Sequence, residues 1–418
     1  MKNAGHVLLV PFHFPPIQGS TGASRSWEFA RWLPDFGWRV TVLTADERAY
    51  PQTSAMPEPM PEDVQVIRAF ALDAKRHLSL FGRYLRVTEI PDRWSTWIIG
   101  GVISGLRRIR ADRPDVMYST YPIVSAHVIA SILHRMTGVP WIAEFRDPMV
   151  EETFPPEGGD RRRRLRLERR IFRSAAHLVT VTPGARAYYE DRSGREAGYV
   201  REIPNGINAS LLRDVSQASR IERPPGGKLT LLHSGILYPD VRDPHVFLEA
   251  VAELLHERVI DSEQVEIVFR GSGSSGEYSQ KAAALGLDGL VHFRDAISYE
   301  KAYEEMRQAD GLMVLQGASC NRQVPAKLYE CCALRKPVLC LADPCGDTGT
   351  LFSSLGLGES VALEDADAIK RRLREFLDEL RSGRPRILDD RSLEGLSRRK
   401  RTEELASLLA GVKNGSNG

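Results

Sequence analysis

Cysteine is scarce and confined. The five in this 418-residue chain, Cys320, Cys331, Cys332, Cys340 and Cys345, fall in one short stretch, and none forms a C-x-x-C pair. A zinc site needs thiolates at ligand spacing, so they read as small buried hydrophobes in a reducing compartment, and no metal is expected. An excess of either charge is also missing. Lys and Arg number 57 against 55 Asp and Glu, a net charge of +2. No global field draws nucleic acid, and polyanion or membrane affinity has to come from a local patch. Long apolar runs are absent as well. MKNAGHVLLVPFHFPP carries one Lys and too short an apolar run for a signal-peptide core. WIIGGVISGL and IVSAHVIASIL fall well short of the roughly 18 residues that cross a bilayer. A cytoplasmic protein is expected. No internal repeat of solenoid period is present either.

What is there is an alternation. Apolar β-rich runs such as HVLLVPF, WRVTVLTA, PDVMYST, VPWIAEFRD and AHLVTVT alternate with helical runs, and the series restarts at KLTLLHSG after a polar connector ending RPPGGK. Strands apolar along their whole length are those of parallel sheets covered on both faces. Two such series predict an α/β chain of two doubly wound, Rossmann-like domains, each of roughly 200 residues. The boundaries are set at 1–205 for the first domain and 206–392 for the second. A returning helix over 393–411 is expected to pack on the first domain, followed by a disordered tail over 412–418.

In such sheets ligands bind beyond the carboxyl ends of the strands, so the loops there carry the functional signal. QGSTGASR follows the first strand and FRGSGSSG follows QVEIVF. Neither is G-x-G-x-x-G, and no acidic residue stands about twenty positions on to hold a ribose, which argues against a nicotinamide enzyme. EFRDP ends a first-domain strand with three charges, costly there unless paired or used; Arg146 paired internally with Glu144 or Asp147 is the plain alternative. RQVPAKLYECCALRKPVL has helical spacing around a lone carboxylate, Glu330. RRRRLRLERR, Arg161 to Arg170, is either a solvated helix face or a basic surface for an anionic membrane. His127 on an apolar helix reads as a core histidine, and His13 flanks the first loop.

Taken in order, FPPIQGSTGASR, WLPDFGWRVTVLT, IPDRWSTW, DVMYSTYPIVSAHVIAS, WIAEFRDP, IPNGIN, HSGILYPDVRDP, FRGSGSS and PAKLYECCALRKPVL resemble glycosyltransferase family 4 over nearly the whole chain. The resemblance implies two facing Rossmann-like domains, the GT-B fold, and retaining transfer of a sugar from a nucleotide-diphosphate donor to an acceptor hydroxyl without a metal. It implies a first domain that takes the acceptor, often lipid-linked or anionic, in polysaccharide, glycolipid or small-molecule glycoside synthesis. A cytoplasmic enzyme at the inner face of the membrane fits that setting.

Residue by residue, the resemblance places Glu330 on the donor ribose hydroxyls and Arg242 and Lys327 on the diphosphate. Gly19, Gly22, Gly235, Gly271, Ser272 and Gly273 are placed where backbone approaches the donor. Arg25, Arg146 and Asp147 fall on the acceptor side, with Asp147, Arg242 and Lys327 as the residues closest to the chemistry. Two departures stand out. Arg322 occupies the place of a family glutamate eight residues before Glu330, and Ile236 stands after Gly235 where an arginine is usual. Arg322 is therefore assigned to the diphosphate as a replacement cation. A nucleotide-sugar epimerase and a non-catalytic sugar-nucleotide-binding protein are the alternatives.

Overall fold

The computed structural model describes residues 4–18, 21–53, 60–79, 89–151, 154–208, 227–273 and 275–415. The chain divides into two compact units, Met1–Asn208 with Arg398–Gly418, and Ala209–Ser397.

The first unit runs β1 (Gly5–Val10), α1 (Thr21–Trp32), β2 (Trp38–Ala45), β3 (Val64–Ala69), α2 (Ala74–His77), α3 (Thr96–Ala111), β4 (Val116–Thr120), α4 (Val124–Thr137), β5 (Trp141–Phe145), α5 (Gly159–Ser174), β6 (His177–Thr180), α6 (Pro183–Ser193) and β7 (Val200–Glu202). Its sheet has the order β3-β2-β1-β4-β5-β6-β7, and every pairing is parallel. All six residues of β1 and all five of β4 and β5 are buried, which is why these strands show no polar alternation. The WIIGGVISGL run lies in α3. Cβ atoms on Gly101 and Gly105 would sit 2.6 Å from Ile129 and Leu133 of α4, so these glycines let two helices pack at close range.

The second unit runs β8 (Leu229–Ser234), α7 (His245–His256), β9 (Val265–Arg270), α8 (Ser275–Ala284), β10 (Val291–Arg294), α9 (Tyr299–Gln308), β11 (Gly311–Leu315), α10 (Ala326–Ala333), β12 (Val338–Leu341), α11 (Asp347–Ser354), α12 (Ala366–Arg381) and α13 (Asp390–Gly395). Its sheet is also parallel, in the order β10-β9-β8-β11-β12. In both sheets the order of strands reverses beside the first strand, at β1/β4 in one and β8/β11 in the other. These are the switch points at which open α/β sheets leave a crevice.

The last helix, α14 (Arg398–Gly415), belongs to the first unit. Leu405, Ala406, Leu409 and Val412 join Val7, Leu9, Trp27, Phe29 and Trp38 in one core. Each leucine so buried is worth about 1.5–3 kcal/mol. This corrects the sequence boundaries. Residues 393–397 lie in the second unit, and the helix continues past 411 because Val412 still has core to cover. Residues 412–415 are therefore helix rather than tail, while 416–418 lie outside the described residues. Gly206 and Ile207 stay with the first unit, since the Arg398 backbone amide donates to the Ile207 carbonyl at 2.9 Å and its Nε to that of Gly206 at 3.1 Å.

The cysteine expectation needs a correction. Cys331, Cys332 and Cys340 are buried and their thiols pushed up by that burial, but Cys320 is half-buried and Cys345 exposed, because both sit in loops outside the sheet core. Among the described residues, no helix is long and apolar enough to cross a membrane.

Candidate functional site

In the first unit, the ends of β1, β4 and β5 bring charged side chains together. Arg25 on α1 is 2% exposed. Its Nε donates to Glu144 Oε1 at 2.8 Å, and its two Nη groups donate to the Pro204 and Ile203 carbonyls at 2.7 and 2.8 Å. Tyr118 Oη donates to the same Glu144 oxygen at 2.6 Å. Burial pushes the Glu144 carboxyl up, yet Arg25, Arg146 and the Tyr118 and Thr120 hydroxyls outweigh it and hold it below its ordinary range. Arg25 is thus a buried clamp on the IPNGIN segment. The acceptor role assigned to it from sequence is corrected: the side chain is buried, and each of its three nitrogens already donates to a partner inside the unit.

Arg146 and Asp147 follow β5 and are half-buried. Arg146 does not pair as the plain alternative supposed; Arg25 holds Glu144, and Arg146 Nε donates to the Tyr121 carbonyl at 2.7 Å. Its guanidinium lies against the start of α1, where a Cβ on Gly22 would sit 2.5 Å from Arg146 Nη2. Gly22 thus supplies the room Arg146 occupies. A cation at a helix N-terminus is electrostatically unfavourable, and burial lowers the Arg146 pKa against the pull of Glu144 and Asp147. Among the described residues, Asp147 has no hydrogen-bond partner, and burial raises its carboxyl while Arg146 opposes the rise. His13, beside them after β1, is driven to about 3 by burial and by Arg146. Gly19 lies outside the described residues. His127 is fully buried, its Nδ1 2.7 Å from Ser119 Oγ.

In the second unit, the loops after β8 and β9 are laced together. Gly235 N–H donates to the Arg270 carbonyl at 2.9 Å and Leu237 N–H to that of Ser272 at 3.0 Å. Gly271 and Gly273 hold φ of 68° and 83°, a region only glycine enters cheaply, which turns the chain sharply at the end of β9. Ser272, between them, is buried, and its hydroxyl has no partner among the described residues.

Across the switch point stands α10, entered through Pro325. Its first amides have no partner within the helix. Lys327 Nζ pairs with Glu330 Oε2 at 2.9 Å, one turn apart on the same side of α10, and Glu330 is only partly exposed. The Lys327 stem runs over Gly235, with Cε 3.5 Å from where a Cβ on that glycine would lie. Arg242 is half-buried, its guanidinium 5.7 Å from the centre of the Tyr238 ring, and it has no ion-pair partner among the described residues. Both Arg242 and Lys327 act on one further group, His233, at the end of β8. Sequence reasoning missed this residue. The available signal was a polar side chain ending the otherwise apolar strand KLTLLHSG. Arg322 is half-buried in the turn before α10, and Ile236 is 48% exposed beside Gly273.

Residues 21–206 match the model described as "Glycosyl transferase 4-like domain". The greater part of the first unit is thus similar to a glycosyl transferase 4-like domain. Solved structures carry the similarity of fold beyond that domain to nearly the whole chain. Sucrose-phosphate synthase from Thermosynechococcus elongatus is 16% identical at a TM-score of 0.60, covering 97% of this chain and 96% of its own. Anabaena Alr3699/HepE in complex with UDP-glucose is 13% identical at 0.58, covering 97% and 100%. A putative UDP-N-acetylglucosamine 2-epimerase from Listeria monocytogenes is 12% identical at 0.54, covering 97% and 95%. No curated protein sequence matches the chain. The fold is that of the GT-B glycosyltransferases. Because an epimerase shares it, the choice of activity rests on the site. Among the described residues, no group of His, Cys, Asp or Glu side chains comes together in a way that could hold a metal ion.

Proposed function

We propose that the protein is a retaining glycosyltransferase that moves a sugar from a nucleotide-diphosphate donor to an acceptor hydroxyl. The observation that carries this reading is the grouping at the β8/β11 switch point of Arg242, Lys327, Glu330, the start of α10 and the glycine turns after β8 and β9. Glu330 accepts the two ribose hydroxyls, a task a carboxylate suits because its two oxygens take neighbouring donors. Arg242, Lys327, Arg322 and the first amides of α10 receive the charge that grows on the diphosphate as it leaves. The bond from the anomeric carbon to the phosphate oxygen breaks, and the bond to the acceptor oxygen forms on the same face. The acceptor proton passes to the departing phosphate, so no protein nucleophile and no metal are invoked. Arg146 and Asp147 position the acceptor, an anionic or lipid-linked hydroxyl compound. The exposed arginines of α5 hold the protein on the anionic inner face of a membrane.

A thermal-shift panel of nucleoside diphosphates and their sugars, run on wild type and Glu330→Ala, tests the donor assignment. One nucleotide should stabilise the wild type, and the variant should bind it about 10–100-fold more weakly, the worth of hydrogen bonds to a charged group. Loss of all response in the wild type would remove the donor reading. Conversion of the donor without any acceptor would favour the epimerase.

A further inference from the structure

His233 ends β8 at the switch point and is 4% exposed. Its Nδ1 lies 3.1 Å from the Met313 carbonyl of the neighbouring β11. A carbonyl only accepts, so that contact fixes the proton on Nδ1 and leaves Nε2 as a bare lone pair. Among the described residues, Nε2 has no partner. It lies beside Gly235 and beneath the Lys327 stem: a Cβ on that glycine would stand 4.0 Å from Nε2 and 3.5 Å from Lys327 Cε. Burial first, and then Arg242 and Lys327, depress the ring to about 4, so it stays neutral. A buried acceptor without a donor is costly in a finished core. Here it stands near Arg242, which has no ion-pair partner among the described residues, and near Lys327, whose partner is Glu330 on its own helix. Phosphate oxygens satisfy those cations but offer an imidazole lone pair no proton. The group that suits Nε2 is a hydroxyl carried next to a phosphate.

Resting on the donor reading above, we propose that His233 is a specificity residue of the donor pocket. Its Nε2 accepts a hydrogen bond from a hydroxyl of the transferred sugar, reached when Lys327 turns from Glu330 to the diphosphate. Glycine at 235 is needed because any Cβ would stand between Nε2 and that hydroxyl.

Two substitutions separate this role from a packing role. In His233→Asn the side-chain amide keeps a donor for the Met313 carbonyl at the position of Nδ1 and loses the outer acceptor. In His233→Gln an acceptor returns at the reach of Nε2. Dissociation constants are measured by calorimetry for UDP and UDP-glucose; if UDP gives no heat, the same pairs are run with GDP, ADP and dTDP and their glucose conjugates. The expected result is that His233→Asn weakens the sugar nucleotide about tenfold, leaves the bare diphosphate within twofold, and that His233→Gln recovers part of the loss. Equal weakening of both ligands, or of neither, overturns the proposal while the donor reading stands. If His233→Asn does not fold, the Gln variant alone decides: a loss of a few-fold confined to the sugar nucleotide, with the bare diphosphate within twofold, sustains the proposal, and equal loss of both or of neither removes it. Failure of every nucleotide to bind the wild type removes the donor reading itself.

Discussion

The two switch points differ in what their charges do. At β1/β4 the most deeply buried pair, Arg25 and Glu144, is closed on itself by Tyr118 and two backbone carbonyls. At β8/β11 the charges are half-exposed, Arg242 has no counter-ion among the described residues, and Lys327 is held only by a neighbour on its own helix. Both places lie at the carboxyl ends of parallel strands, so position alone does not separate a closed internal clamp from a half-solvated cluster. Burial separates them. A fully desolvated guanidinium has to be satisfied inside the protein, whereas a half-solvated one can wait for a ligand.

That contrast is broken most forcefully at Glu144. Replacing it with alanine leaves Arg25 buried and unpaired, and the unfolding free energy from urea titration should fall by about 3–5 kcal/mol. The pH dependence follows from the direction of its shift. Glu144 is depressed in the folded state, so its contribution is present above the unfolded carboxylate value of about 4.3 and is lost as pH falls through the lower folded value. The wild type should therefore lose stability on acidification more steeply than Glu144→Ala; equal slopes would mean the pair is not the clamp described.

At the second switch point, Arg322→Gln should leave stability within about 0.5 kcal/mol and raise the donor dissociation constant several-fold. An unchanged constant would return Arg322 to the status of a surface residue. The smallest expected change in stability lies on α5. Arg162, Arg163, Arg166 and Arg170 are exposed. Converting these four to Gln should leave the melting temperature nearly unchanged, while flotation with phosphatidylserine vesicles, at about 1 kcal/mol per basic residue near the surface, should be lost. Retention on the vesicles, or no flotation of the wild type, would leave α5 as an ordinary solvated helix.

The strand–helix alternation, the two series and the restart after RPPGGK were legible because parallel strands buried on both faces carry unbroken apolar runs. That Glu330 and Lys327 share one side of a helix was legible in their spacing, three residues apart in an otherwise apolar helical run, whereas their assignment to a donor came only from the family resemblance. The fate of Arg25 was not legible. Its partners lie 119, 178 and 179 positions away, and no local pattern encodes which of two nearby arginines will take Glu144. His233 was hidden in the same way, since its tautomer is set by the carbonyl of a residue 80 positions on.

By itself the sequence determined the fold class and where the loops at the carboxyl ends of the strands would fall, because strand burial and turn chemistry act over a few residues. Only the tertiary structure decided which charges are committed to partners inside the protein and which stand half-solvated. Desolvation and partner geometry belong to side chains that meet across strands and helices far apart in the chain.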